Sequence, residues 1–405
     1  MNVIVLDGNE NQAVACVRSL SRAGHNVIVG ASSGWSKAGW SRGCSSTFRY
    51  TAPQDSAASF VSDIVAILRT APAALILPMT ERTTLPLSEH RTAIEAAGGR
   101  LVLPAHETVL AAFDKGATTK LAASLGLAVP RTAALATAAD AERFASSARF
   151  PVVLKPRSSQ ELSPSGQLRA TGAPLYARTP AEFAAAFAKM RERSSAVLVQ
   201  EFVGGAGAGY FALMHHGELR AEFAHRRIRD VRPTGSGSAL RVSAPMDPRL
   251  RDAGLAVLRA LAWHGVAMVE FRVLEDGTPI FLEVNGRFWT SLPLAVYAGI
   301  DFPALLAQLS ERGDVGLTTQ YRVGVRCRWM LGDFRHLIEV LRGRPRGFPG
   351  TFPKRLESLR DFLLPVAGTY HDNFMVRDPL PELGDWLDFA LHKVLKTDRR
   401  TKDKP

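Results

Sequence analysis

Short apolar runs alternate with stretches of helical spacing through the first third of the chain. Residues 3–7 (VIVLD) predict a buried strand, Gly8 and Asn9 a turn, and residues 11–23 a helix whose inner face carries Val14, Val17 and Leu20. Gly24 is placed to stop that helix. Residues 27–29 give a second strand, 60–68 a helix, 74–78 (ALILP) a strand, and 101–104 (LVLP) a last strand closing the unit. A βαβ opening of this kind implies a parallel sheet. Between these elements, residues 32–46 are rich in Gly and Ser and carry Trp35 and Trp40, which predicts a loop, one that would face a substrate site.

The pattern changes at residue 113. Asp114-Lys115 opens an Ala/Leu helix to residue 125, with Gly126 at its end. Residues 150–156 (FPVVLKP) predict a strand with Lys155 near its end, 157–172 a polar mobile loop, and 180–190 an amphipathic helix. Residues 196–203 (AVLVQEFV) form a strand that runs into GGAGAG at 204–209, and a hairpin is expected around His216-Gly217. A helix over 249–263 precedes residues 266–287, VAMVEFRVLEDGTPIFLEVNGR. Helices follow at 292–298 and 302–309. Beyond them the regularity weakens: a strand at 322–330, helices at 333–341 and 383–395, an Arg/Pro/Gly-rich loop at 342–355, and a charged end at 397–405 expected to fray.

The stretch 266–287 carries the first chemical signal. Asp-Gly between β-prone runs is a strong hairpin signature. With Asp276 and Gly277 at the tip, Glu270 lies directly opposite Glu283, and Asn285, Arg287, Met268 and Phe281 share their face. Two opposed carboxylates repel. A solvated outer face would tolerate them, but Met268 and Phe281 argue against one. A hard cation suits them better: Mg²⁺ takes oxygen ligands, typically one or two carboxylates with phosphates and water.

Composition narrows the field. The chain has 405 residues, 46% of them hydrophobic, enough for several domains with sizeable cores. Cys16, Cys44 and Cys327 are scattered without metal-like spacing, which fits a reducing compartment and no disulfide framework. The N-terminus MNVIVLDGNENQ reads as no signal peptide, and no apolar run is long enough for a membrane span, so a cytoplasmic location is expected. Net charge is +12, but the arginines are dispersed, and no nucleic-acid motif accompanies them. The first turn, DGNENQ, lacks the G-x-G-x-x-G fingerprint, which counts against a nicotinamide enzyme.

Taken in order, these features resemble the ATP-grasp superfamily over roughly residues 3–310. They are an α/β opening unit, an Asp-Lys helix start, a strand with lysine, a Gln-Glu-Phe-Val segment and a Glu…Glu-x-Asn-x-Arg hairpin. The likeness is to single-chain carboxylate–amine ligases similar to half of a carbamoyl-phosphate synthase large subunit. It implies an α/β fold: a pre-ATP-grasp domain over 1–112, a first ATP-grasp subdomain over 113–199 with residues 157–172 as lid, a second over 200–312, and a basic C-terminal accessory segment over 313–405.

The resemblance also assigns roles. Lys115 and Lys155 would hold ATP phosphates. Gln200, Glu201, Phe202 and Val203 would form the adenine hinge. Glu270, Glu283 and Asn285 would hold one or two Mg²⁺ ions, with Mn²⁺ as a substitute, and Arg287 would stabilise the transferred phosphoryl group. In the basic run His225-Arg226-Arg227-Ile228-Arg229, at an expected strand end, Arg227 is assigned to the same task. The turn at 233–237 would then cover the acceptor pocket. The glycines at 204–209 stand where many ligases carry an acidic ribose contact, leaving close backbone approach or simple flexibility as their purpose.

The expected reaction is ATP-dependent joining of a small carboxylate to an amine through an acyl phosphate, with no nucleophilic side chain. His225, His264 and Cys327 stand isolated and read as structural. Bicarbonate activation, thiol ligation and a non-catalytic nucleotide-binding regulator are the alternatives. A homodimer is compatible with the chain; nucleic acid is not an expected partner. From residue 311 to 360, eleven Lys/Arg face five Asp/Glu, so that segment reads as a basic, solvated accessory.

Overall fold

The computed structural model describes residues 1–158, 160–162, 168–170, 173–192, 194, 196–345, 347–364 and 366–402. Four parallel strands open the chain: β1 (Asn2–Val5), β2 (Asn26–Ala31), β3 (Ser46–Arg49) and β4 (Leu75–Leu77), in the order β3-β2-β1-β4. The helix Asn11–Arg22 buries Val14, Val17 and Leu20 as the spacing predicts, and Gly24 follows it with φ +85°. Residues 101–104 do not form the expected strand. Beyond a single bridge at Arg100, the carbonyls of Leu101, Leu103 and Pro104 accept from the Arg91 guanidinium instead of a neighbouring strand. The polar segment Ser46–Arg49 is the strand that hydrophobic pattern alone passes over.

The second sheet is antiparallel. It contains β5 (Thr132–Leu135), β6 (Val152–Pro156), β9 (Leu175–Ala177) and β10 (Val197–Glu201), in the order β5-β10-β6-β9. Between β6 and β9 the polar stretch folds in part as a ribbon, β7 (Gln160–Leu162) with β8 (Leu168–Ala170). The remainder of the expected lid, residues 159, 163–167, 171 and 172, lies outside the described residues. Helices Ala138–Ser147 and Pro180–Arg191 contribute Ala141, Phe183 and Phe187 to the core under this sheet.

The largest sheet has seven strands: β11 (Ala206–His215), β12 (Glu218–Arg232), β13 (Ser236–Ser243), β14 (Gly265–Val273), β15 (Pro279–Asn285), β16 (Arg326–Arg328) and β17 (Tyr370–His371). Their order is β15-β14-β11-β12-β13-β16-β17, antiparallel except for the last pair. One face packs Tyr210, Val269 and Phe271 against the helix Pro248–Ala260. The other packs Phe211, Phe223 and Met268 into a core shared with Val14, Val17 and Leu20 of the opening unit. The basic run His225–Arg229 lies inside the 15-residue β12 rather than at a strand end, because β12 continues to Arg232.

The β14–β15 hairpin does not turn on two residues. Gly277 N–H bonds to Leu274 O and Leu274 N–H to Thr278 O, so Glu275, Asp276 and Gly277 form a three-residue loop, with Gly277 at φ +82°. The pairing shifts by one residue at a bulge between Phe281 and Glu283, which restores Glu270 directly opposite Glu283. The same bulge turns Phe281 to the other face, into the core with Phe271, so Phe281 does not share the face of Glu270 and Met268.

The C-terminal segment is built into the molecule rather than appended as a solvated accessory. It supplies β16 and β17 to the large sheet, and its Asp372 pairs with Arg241 of β13, both fully buried. The loop at 32–46 belongs to this contact. Lys37, just before the short helix Ala38–Trp40, reaches Asp385 at 2.7 Å in the helix Leu380–Lys402, so this part of the loop faces the C-terminal helix. Among the described residues no single helix is long and apolar enough to cross a membrane.

Candidate active site

A cavity of about 370 Å³ lies between the second sheet and the large sheet. Lys115, Lys155, Gln200, Glu201, Phe202, Val203, Arg227, Glu270, Glu283, Asn285 and Arg287 all line it. These residues come from a helix start, five strands and two strand exits spread over more than 170 positions of sequence.

The lysines are set by local structure. Asp114 caps the helix Lys115–Ser124, accepting from the N–H groups of Gly116 and Ala117. Its other oxygen takes the Arg157 guanidinium at 2.7 Å, and Lys115 N–H bonds to Arg157 O at 3.1 Å. The helix start is thereby tied to the exit of β6, which carries Lys155. Lys115 Nζ stands 3.6 Å from Glu283 Oε2. Burial pulls the Lys155 ammonium below its ordinary pKa, an effect that Glu283 opposes and Lys115 reinforces.

The carboxylates complete this end. Burial would raise the pKa of Glu283, but Lys115 and Lys155, with the Asn285 amide at 3.3 Å, hold it below the ordinary value. Glu270 takes Arg227 at 2.8 Å. Arg287 donates to Asn285 Oδ1 at 3.2 Å and to Phe288 O at 2.9 Å. Two facing carboxylates and an amide oxygen make an all-oxygen donor set, which suits a hard divalent cation. The cations beside them are also placed to meet anionic oxygens of a ligand.

Irregular pairing between β12 and β13 sorts the basic run, since strict alternation would leave Arg227 and Arg229 on one face. Arg227 faces the cavity, whereas Arg229 is bound in a bidentate pair to Asp333, with both bonds at 2.7 Å. His225, two residues before Arg227, also lines the cavity. Its ring is buried, its Nε2 is 2.7 Å from Ser291 Oγ, and its pKa is pushed well below the ordinary value by burial and by Arg227 and Arg241. The sequence reading set His225 aside as isolated, although its two-residue spacing from Arg227 was the available signal. Arg272, two beyond Glu270, and Tyr176 were passed over and also line the cavity.

At the other end, β10 runs out through Gln200–Val203. Glu201 and Phe202 give their N–H groups to Arg131 O and Pro151 O, both at 3.0 Å, which fixes the exit in an extended path. Phe202, Tyr176 and Phe348 pack edge-on, with ring centroids 5.3–6.2 Å apart. Phe348 belongs to the C-terminal segment, so that segment reaches the rim of the cavity.

The glycines of 204–209 have a packing role. Gly207 and Gly209 lie within β11, where Gly209 pairs with both His225 and Glu270. A Cβ at Gly209 would sit 2.5 Å from the Phe211 ring, and one at Gly207 would sit 3.2 Å from Arg227. Their lack of side chains leaves room above the strand for both groups.

No family model matches the sequence, and no curated protein matches it. Solved structures do match in fold. The biotin carboxylase of Campylobacter jejuni, solved with a β,γ-ATP compound, is 16% identical, with a TM-score of 0.62 over 80% of this chain and 74% of that one. The L-amino acid ligase of Bacillus licheniformis is 17% identical, with a TM-score of 0.60 over 76% and 73%. The N5-carboxyaminoimidazole synthetase of Staphylococcus aureus is 12% identical, with a TM-score of 0.61 over 80% of each chain. The chain therefore has the ATP-grasp fold that the sequence resemblance implies.

Proposed function

We propose that the protein is an ATP-dependent ligase that joins a small carboxylate to an amine and releases ADP and phosphate. The observation that carries this reading is the convergence of two lysines, two facing carboxylates, an amide and two arginines in one cavity, beside an aromatic-rimmed strand exit. In this reading Gln200–Val203 line the adenine end, with Phe202 against the base. Lys115 and Lys155 hold the phosphates. Glu270, Glu283 and Asn285 hold Mg²⁺, which when bound neutralises the β- and γ-phosphate oxygens. Arg227 and Arg287 face the transferred phosphoryl group and stabilise its developing charge.

A carboxylate oxygen attacks the γ-phosphorus, and the bond to the ADP oxygen breaks. The amine nitrogen then attacks the activated carbonyl carbon. Phosphate leaves, and the nitrogen loses a proton. Such chemistry needs orientation and exclusion of water more than a nucleophilic side chain. Bicarbonate is the second acceptor to consider, because biotin carboxylases stand among the structures of like fold. An acceptor screen with separate bicarbonate, carboxylate–amine and carboxylate–thiol arms, read by phosphate release and product mass, distinguishes them. A new amide mass is expected only when both a carboxylate and an amine are present. Glu283→Ala is expected to lower that turnover by at least about 100-fold; undiminished activity would remove Glu283 from the site.

A further inference from the structure

We propose that His215, His216 and His264 form a second metal site, for a late first-row cation such as Zn²⁺, at the end of the large sheet remote from the cavity. The ligating nitrogens of the three imidazoles lie within 4.8 Å of one another. His216 and His264 stack with centroids 4.1 Å apart, and His215 lies 4.8 and 5.4 Å from them. From His264 to Glu270 is six residues along an extended strand, roughly 20 Å, so the two sites are separate.

The backbone brings these rings together. His215 ends β11, and His216-Gly217 form the tight turn into β12 with φ of 48° and 85°. A positive φ is uncommon outside glycine, and histidine is one of the few other residues that adopt it. Gly217 N–H bonds to Trp263 O at 2.8 Å, which ties the turn to the residue before His264.

The surroundings complete a ligand set. Asp314 Oδ1 is 3.0 Å from His215 Nδ1 and is itself held by Arg220 at 2.5 Å. A carboxylate on one ring nitrogen fixes the tautomer that leaves Nε2 free for a metal, the usual second layer of a histidine site. His264 Nδ1 is buried with no hydrogen-bond partner among the described residues. His216 is exposed, so a cation has a path in and a fourth position open to water. Imidazole sets favour zinc, copper, nickel and cobalt over magnesium or calcium. Nitrogens at about 2.0–2.1 Å from a tetrahedral cation are about 3.4 Å apart, and two parallel rings aim their in-plane lone pairs side by side, so binding draws the nitrogens inward and turns exposed His216 out of its stack on His264. A bound ion would pin the β11–β12 turn to the start of β14, the strands that also carry Arg227 and Glu270.

The test uses untagged full-length protein stripped with a chelator. Calorimetric titration with Zn²⁺ is expected to give one equivalent with micromolar or tighter affinity, and Co²⁺ is expected to give the visible absorption of a tetrahedral complex. His216→Asn keeps a residue that tolerates positive φ, and is expected to weaken Zn²⁺ at least tenfold and to abolish the Co²⁺ band. His90→Ala, at an exposed histidine elsewhere, is expected to change neither. No Zn²⁺ binding, or binding that His216→Asn leaves intact, overturns the proposal.

Discussion

Glu283 and Glu382 show how the surroundings of a carboxyl set its charge. Glu283 is embraced by Lys115, Lys155 and Arg287 and stays ionised. Glu382 is buried in the C-terminal helix, with Oε1 accepting from Trp386 Nε1 at 2.7 Å and Oε2 without a hydrogen-bond partner among the described residues. Burial, helped by Asp385 and Asp372 and opposed by the Trp386 hydrogen bond and Lys37, pushes its pKa up to about 7 from an ordinary 4.5. Below pH 4.5 both folded and unfolded chains carry the proton, and Glu382 costs nothing. Between 4.5 and 7 the folded chain must keep a proton that the unfolded chain gives up, so stability falls as pH rises, and the full cost is present above 7. Glu382→Gln is therefore expected to stabilise the protein at pH 8 by on the order of 2–3 kcal/mol and to leave it unchanged at pH 4. Paired urea melts at the two pH values check this. Glu270, Glu283, Asn285 and Arg287 were legible at this scale from pairing and two-residue spacing in apolar strands, whereas Lys115, Lys155, Gln200–Val203 and Arg227 came only with the resemblance. His225 reads as an isolated structural residue in the sequence, because Ser291 and Phe211 come beside it only in the fold.

At the scale of elements, most strands and helices followed from periodicity, but the hairpin reached its register by a route the pattern does not contain. A three-residue loop and a bulge near Leu282 offset each other. Glu270 and Glu283 therefore stay paired, although the face of Phe281 is reversed. A bulge is a choice of backbone path, and Leu282 carries no residue type that marks it. The glycine run on β11 is the complementary case: its composition was plain, and its purpose appears only when β12 and β14 flank it. Phe211 lies over Gly209 with its ring 4.6 Å from His225 and 4.5 Å from Trp289. Gly209→Ala has no space to displace that ring without crowding those two. It is expected to cost about 1–3 kcal/mol of stability and to lower turnover, measured by urea unfolding and by phosphate release. A fully active, equally stable variant would deny the glycines their packing role.

At the scale of the whole molecule, the C-terminal segment is where sequence reading stopped short. The segment reads as a solvated surface because its carboxylates answer arginines far away in sequence: Asp333 takes Arg229 across 104 positions as well as nearby Arg328, and Asp372 answers Arg241 across 131 positions. Such pairings leave no local periodicity to read. Both members of the Arg241–Asp372 pair are fully buried, and Asp372 also accepts from Asn11 of the opening unit at 3.3 Å. Asp372→Ala strands a buried guanidinium and is expected to cost about 3–5 kcal/mol, visible as a lower urea midpoint; a change under 1 kcal/mol would place the pair outside the structural core. The same segment brings Phe348 to the rim of the cavity, beside Tyr176 and Phe202, so residues far apart in the sequence complete that rim.

The proposed reaction turns on transfer of the γ-phosphoryl group to a carboxylate oxygen. Oxygen-18 in the carboxylate of the pair identified by the acceptor screen tests it most directly. Attack by that oxygen predicts one labelled atom in each phosphate released, with ADP as the other product. Phosphate free of label, or release of AMP and pyrophosphate, would contradict it.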